Sequence, residues 1–167
     1  MKNENSTSFK KSSNQEKNFF KSPISWVGTT YFAEGFPYTV IRIISSIFFR
    51  DKGASLENVG LTSLYGLPWT LKFLWGPYVD KYSTRRSWLL STELIFAFIL
   101  LLTTIFAPMD SGLFIIGILF FIGAFVAATH DIAVDGFYME ALAESDQEKF
   151  IGYRILAYRL SMMLVKV

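Results

Sequence analysis

GLFIIGILFFIGAFVAATHDIAVDGFYMEAL, residues 112–142, opens as a plain apolar run and then places His130, Asp131 and Asp135 on one helix. An α-helix needs about 20 apolar residues to cross the hydrocarbon core of a bilayer. An acid inside that core costs about 3 kcal/mol or more, so such residues serve a pathway or a buried ion pair. Asp131 and Asp135 are four apart and share a helix face. Gly123, Ala124, Ala127 and Ala128 precede them, and small residues at this spacing let helices approach closely. The acids therefore face protein or a polar cavity and not lipid.

The rest of the chain has the same character. It is 51% hydrophobic and carries 17 Phe, in long runs rather than scattered. That concentration is the signature of membrane spans. There is no Cys and a single His, which excludes a disulfide framework, a thiolate metal site and a multi-histidine site. No metal, no cofactor and no nucleic-acid partner is expected. The fold class read from the pattern is an all-α membrane protein with about five transmembrane helices.

Outward from 112–142, the expected spans are approximately 23–49, 56–79, 88–107 and 146–167. The first is interrupted at Glu34-Gly35-Phe36-Pro37, and Pro37 removes a helix hydrogen bond. Glu34 lies roughly 16 Å into it at 1.5 Å per residue, and Arg42 lies nearer the far side. Gly53 suits the left-handed end of a helix, and Ser55 suits the cap of the next. Pro68 interrupts the second span and Lys72 lies within it. Residues 80–87, DKYSTRRS, read as a basic loop, and Pro108–Gly112 as a turn without Lys or Arg. Ser145-Asp-Gln-Glu148 reads as a capping box that starts the last helix. Residues 1–22 read as a disordered Lys-rich tail that anchors near anionic headgroups. The distribution of Lys and Arg puts the N-terminus in the cytoplasm. The chain stops inside its fifth span, so a fragment of a larger membrane protein is expected.

Inside the spans the ionisable groups are Glu34, Arg42, Lys72, Glu93, His130, Asp131, Asp135, Arg154 and Arg159. Acids and bases nearly balance, which favours pairing over isolated charges. Depth along antiparallel neighbours pairs Asp135 with Arg154, and Asp131 with Arg159 or Lys72. Asp131 stands between a transport role and a structural ion pair, and Asp135 leans to a structural or gate role, with Arg85 or Arg86 in reach. His130 is a packed neighbour or a proton relay. Glu34 lines a pathway or caps backbone groups freed by the Pro37 break. Lys72 neutralises an acid or meets substrate. Glu93 is read as structural.

GLPWTLKFLWGPYVDKYSTRRSWLL at 66–90 resembles the second span and following loop of a major facilitator superfamily transporter. ATHDIAVDGFYMEAL at 128–142 narrows the resemblance to the muropeptide permease and acetyl-CoA transporter branch. It covers about 25–167 and implies part of the N-terminal six-helix half of a twelve-helix fold. The loop motif, Gly-x-x-x-Asp-(Arg/Lys)-x-Gly-Arg-(Arg/Lys), is matched by Gly76, Asp80, Lys81, Arg85 and Arg86, with one extra residue and without the second glycine. The resemblance assigns these a gating role. It implies a secondary, proton-coupled carrier that imports muropeptides by alternating access. Glu34, Arg42, Lys72, Trp69, His130 and Asp131 then belong to the substrate or proton pathway. Asp135, Arg154 and Arg159 form structural pairs. Arg42 and Lys72 hold substrate carboxylates, and Tyr31, Phe36, Tyr38 and Trp69 stack on sugar rings. The implied partners are the anionic solute, protons, lipid and the second half of the carrier, in a bacterial inner membrane. The competing readings are a same-branch carrier for acetyl-CoA or another anionic metabolite, and a non-transporting membrane fragment. A further one is an intramembrane aspartyl protease. Two acids at i and i+4 on one helix argue against it, because catalytic aspartates that share a proton come from separate helices. The chain is not read as an enzyme.

Overall fold

The computed structural model describes residues 22–109 and 112–166. The tail expected at 1–22 lies outside the described residues except for Ser22. The structure is all-α, with no strand among the described residues. Three of its helices are long and apolar enough to cross a membrane: α1 (Pro23–Asp51), α5 (Arg85–Phe106) and α6 (Gly112–Ala141). Between α1 and α5 lie three short helices, α2 (Leu56–Leu61), α3 (Leu67–Leu71) and α4 (Gly76–Lys81), joined by 3-10 turns at Thr62–Gly66 and Lys72–Leu74. The last helix, α7, spans Glu144–Lys166.

α1 opens with Pro23 in its first turn, where the missing N–H is no loss. Pro37 leaves the Ala33 carbonyl without its helical donor, and the Thr39 hydroxyl donates back to the Gly35 carbonyl at 2.8 Å. The interruption takes the form of a π-helical turn at Val40–Ile44 rather than a stop. Such turns concentrate at functional sites. α1 ends where Gly53 adopts φ 79°, and Ser55 caps α2 by accepting from the Asn58 N–H at 3.3 Å.

The stretch expected as one span at 56–79 is broken. Gly60, Gly66, Pro68, Gly76 and Pro77 are too frequent for a continuous hydrogen-bond ladder, and the 3-10 turns absorb the mismatch. Two other boundaries move. Arg85, Arg86 and Ser87 belong to the first turn of α5 and not to a loop, because the Thr84 hydroxyl accepts from the Ser87 N–H at 3.2 Å. Ser145 lies inside α7 and not at its cap. The helix begins two residues earlier than expected, at Glu144, because the Ala143 carbonyl accepts from the N–H groups of Asp146 and Gln147. The α6–α7 joint is held by Gln147, whose side-chain amide donates to the carbonyls of Met139 and Leu142 at 3.1 and 2.8 Å.

Two packed clusters set the helices. One joins Ile41, Phe49 and Tyr65 to Phe96, Ile116 and Phe120. The other joins Val27 and Tyr31 to Val134, Tyr138 and Ala157. Gly123, Ala124, Ala127 and Ala128 are all buried, so α6 carries its small residues inward. Without a hydrophobic drive between helices in lipid, this close van der Waals contact holds them. Phe98, Leu101, Ile105 and Phe114 are exposed on the outer faces, where lipid would meet them.

Candidate functional site

One face of α1 carries Tyr31, Glu34, Tyr38 and Arg42, spaced by three or four residues. Eleven residues at 1.5 Å spread that face over roughly 16 Å. Three layers of polar and aromatic groups meet it from α6, α7 and the broken stretch.

The first layer is a clamp around Arg154 of α7. Arg154 Nη1 lies 3.5 Å from Asp135 Oδ1 and donates to the Tyr31 hydroxyl at 2.9 Å. Tyr31 in turn donates to Asp135 at 2.9 Å. The guanidinium lies over the rings of Tyr31 and Tyr138, at 4.9 and 5.1 Å from their centroids. A planar, delocalised cation suits such stacking, which an ammonium would not reproduce.

The middle layer is acidic. Lys72 forms an ion pair with Asp131. Glu34, 9% exposed, lines the same cavity as Asp131, and its Oε2 is buried without a hydrogen-bond partner among the described residues. Glu34, Asp131, Asp135, Arg154, Tyr31 and Tyr158 line a cavity of about 260 Å³.

The outer layer is aromatic and basic. Tyr38 stands edge-on to Trp69 at 5.3 Å and tilted against Tyr158 at 5.9 Å. One turn on, Arg42 donates to the Ser63 carbonyl at 3.1 Å. No carboxylate pairs with Arg42 among the described residues. Gly66 permits its placement, since a Cβ there would stand 2.6 Å from Arg42 Nη1.

The other residues singled out from sequence fall elsewhere. His130 is 3% exposed, and its Nδ1 lies 2.8 Å from Thr92 Oγ1 on α5, away from the cavity of the acids. The Thr92 hydroxyl also lies 2.7 Å from the Trp88 carbonyl oxygen. Arg159 is exposed and enters no ion pair among the described residues, so Asp131 takes Lys72 of its two expected partners. Phe36 packs edge-on against Phe96, not on the cavity. Glu93 is exposed on α5.

The loop motif gathers on Arg85. Its Nη1 lies 2.5 Å from Asp80, and its Nε lies 2.9 Å from Glu140 at the end of α6. Gly136 lies beneath, where a Cβ would stand 2.7 Å from the guanidinium carbon. Lys81 sits over the Tyr82 ring, Arg86 is exposed, and Gly76 begins α4. Ser83 stands where the motif has its second glycine, and its φ of 68° is the left-handed geometry a glycine adopts freely. A side chain there costs about 1 kcal/mol.

Sequence reasoning missed Glu140, Tyr138, Tyr158 and Ser63. Glu140 left one signal: an acid in the last turn of a helix opposes the helix dipole and calls for a nearby cation. The others are ordinary span residues whose partners depend on packing.

A family model described as "Acetyl-coenzyme A transporter 1" matches residues 27–153. An uncharacterised protein of Haemophilus influenzae is 33% identical over 142 residues, 81% of this chain and 33% of that protein. The anhydromuropeptide permease of Escherichia coli is 30% identical over 142 residues, 80% of this chain and 28% of that protein. A putative transporter AmpG 3 of Rickettsia prowazekii is 30% identical over 121 residues, 66% of this chain and 28% of that protein. The chain thus spans about a third or less of the length of these relatives. No solved structure matches.

Proposed function

The chain belongs to the acetyl-coenzyme A transporter 1 family, and on that premise we propose that it supplies N-terminal helices of a proton-coupled carrier for cell-wall muropeptides. The protein is an all-α membrane protein of a transporter family. In the proposed reading α1, the broken stretch, α5, α6 and α7 are the first five spans of a six-helix half. The N-terminus is cytoplasmic, the membrane is a bacterial inner membrane, and further helices complete the path. The length of the relatives supports this completion.

The observation that carries the reading is the layered face of α1. A muropeptide has sugar rings, amides and carboxylates. Tyr38, Trp69 and Tyr158 offer aromatic faces for the sugars. Arg42, without a carboxylate partner among the described residues, offers a bidentate site for a substrate carboxylate. Lys72 is occupied by Asp131 and does not serve that role in this state. Arg85, held between Asp80 and Glu140, ties α4 and α5 to the end of α6 and acts as the gate. Asp131 and Asp135 are held by separate cations, Lys72 and Arg154, which fits a lined path rather than a shared catalytic proton. The reading is therefore a carrier and not an enzyme.

Uptake of labelled anhydro-muropeptide by the full-length carrier tests this function, and absence of uptake rejects it. A second reading, transport of acetyl-CoA or another anionic metabolite, is supported by the description of the family model. Competition by unlabelled acetyl-CoA separates the two. Expression of residues 1–167 alone is expected to give no uptake. Arg42→Gln should raise the half-saturating concentration for a carboxylate-bearing substrate by about 10–100-fold, as a charged hydrogen bond is lost. An analogue with that carboxylate amidated should show little difference between the two proteins. An equal loss for both substrates would remove Arg42 from carboxylate recognition.

A further inference from the structure

We infer that the α1 face is a two-ended site for a zwitterionic solute, with Glu34 taking an ammonium group at one end and Arg42 a carboxylate at the other. The inference rests on the transport reading above and adds the amine end, which makes a free amino group on the solute a determinant of specificity.

Matching the charges of the site leaves one of each sign. Asp131 is paired with Lys72. Asp135 is paired with Arg154, which the Tyr31 hydroxyl and two aromatic rings also hold. Glu34 and Arg42 enter no ion pair among the described residues. Glu34 lines the cavity of about 260 Å³, and its Oε2 is buried without a hydrogen-bond partner among the described residues. The carboxylate therefore has a place for a donor that these residues do not fill. Arg42 Nη1 donates to the Ser63 carbonyl, and the guanidinium fork has further N–H donors to offer.

The two charges do not satisfy each other. They stand eight residues apart on α1, about 12 Å along its axis, whereas side chains of one helix meet at spacings of three or four. An unmatched charge inside a membrane protein is costly. A solute that brings a positive group to Glu34 and a negative group to Arg42 removes both costs together. The spacing also sets its length. An extended peptide advances about 3.3–3.6 Å per residue, so three or four residues cover the distance. Tyr38 stands midway on α1, with Trp69 and Tyr158 against it, and gives the way between the charges an aromatic wall.

This sign pattern separates solute classes. A muropeptide whose peptide keeps a free amino group and a free carboxylate has both ends. Acetyl-CoA has phosphates and no ammonium at neutral pH, so it matches Arg42 and leaves Glu34 bare.

Uptake by the full-length carrier in proteoliposomes tests the amine end. The solutes are labelled anhydro-muropeptide with a free amino group on its peptide, and the same molecule N-acetylated. In wild type, acetylation should raise the half-saturating concentration by about 10–100-fold, as a charged hydrogen bond is lost. Glu34→Gln should show little difference between the two solutes, and Arg42→Gln should keep the wild-type preference for the free amine. Equal half-saturating concentrations in wild type overturn the amine site, a comparison that needs no variant to fold. A full preference retained in Glu34→Gln overturns Glu34 as the group that makes it. If wild type takes up neither solute, the transport reading falls, and thermal unfolding of the same carrier in detergent decides the site. Tetraalanine should then raise the midpoint more than N-acetyl-tetraalanine does, and equal shifts, or none, overturn the inference.

Discussion

Gly35→Val will separate α1 from α7 and lower stability by about 3 kcal/mol or more, while Gly28→Ala in the same interface will change it by less than about 1 kcal/mol. A Cβ at position 35 stands 2.7 Å from the Tyr158 carbonyl oxygen and 2.9 Å from Ser161 Cβ. The first is backbone and the second is bound directly to it, so neither can swing aside. Relief requires the two helix axes to move apart. That movement pulls Arg154 away from Asp135 and Tyr31 and opens the clamp at the base of the site. At position 28 the obstruction is the Tyr153 hydroxyl, 2.6 Å from where an added Cβ would stand, and it is the far end of an exposed side chain that can rotate into lipid. Ser161→Gly removes only one of the two obstructions and should rescue Gly35→Val in part. Thermal unfolding in detergent measures all four proteins. Equal midpoints for Gly35→Val and Gly28→Ala would show that the helices do not meet as closely as Gly35 requires.

Much of this architecture is legible in the sequence, for definite reasons. Span length and apolar runs mark α1, α5 and α6, because a bilayer imposes both on any helix that crosses it. The four-residue spacing of Asp131 and Asp135 puts them on one face, and the structure has both turned to cations, Lys72 and Arg154. What was not legible depends on how helices pack. The break-up of residues 56–79 follows from five Gly and Pro residues acting together, whereas one Pro alone suggests only a kink. Ser145 has the spacing of a capping box, but the Ala143 carbonyl and the Gln147 side chain settle the joint first. Tyr31 reads as a flat surface for sugars; its hydroxyl is instead committed to Asp135 and Arg154, at a distance of more than a hundred residues that no periodicity reveals. The meeting of Glu34 and Asp131 at one cavity is of the same kind. Each is visible alone as an acid in a span, and only the packing of α1 against α6 brings them to the same cavity.

Lys72→Met will be the more damaging half of a charge pair, and Asp131→Asn the milder. Removing Lys72 leaves Asp131 without its cation in the cavity it shares with Glu34, since Arg154 is held by Asp135 and two rings. Breaking a buried pair from one side costs about 3–5 kcal/mol, but the Lys72 side chain is 36% exposed, so about 2–3 kcal/mol is expected. Removing the Asp131 charge leaves an ammonium on a flexible stem, which can swing its charge toward water. The cost of Asp131→Asn should therefore stay near about 1 kcal/mol. The double variant should be more stable than Lys72→Met alone, with a coupling energy of about 1–2 kcal/mol. The pH dependence has a definite sign. In Lys72→Met the penalty comes from carboxylate charge, so it should shrink as pH falls and grow as pH rises. In Asp131→Asn the residual charge is an ammonium, and the penalty should change little over the same range. Thermal unfolding of the four proteins across about pH 5 to 8 gives both slopes. Parallel slopes for Lys72→Met and wild type would mean that Lys72 does not hold the charge of the acidic layer.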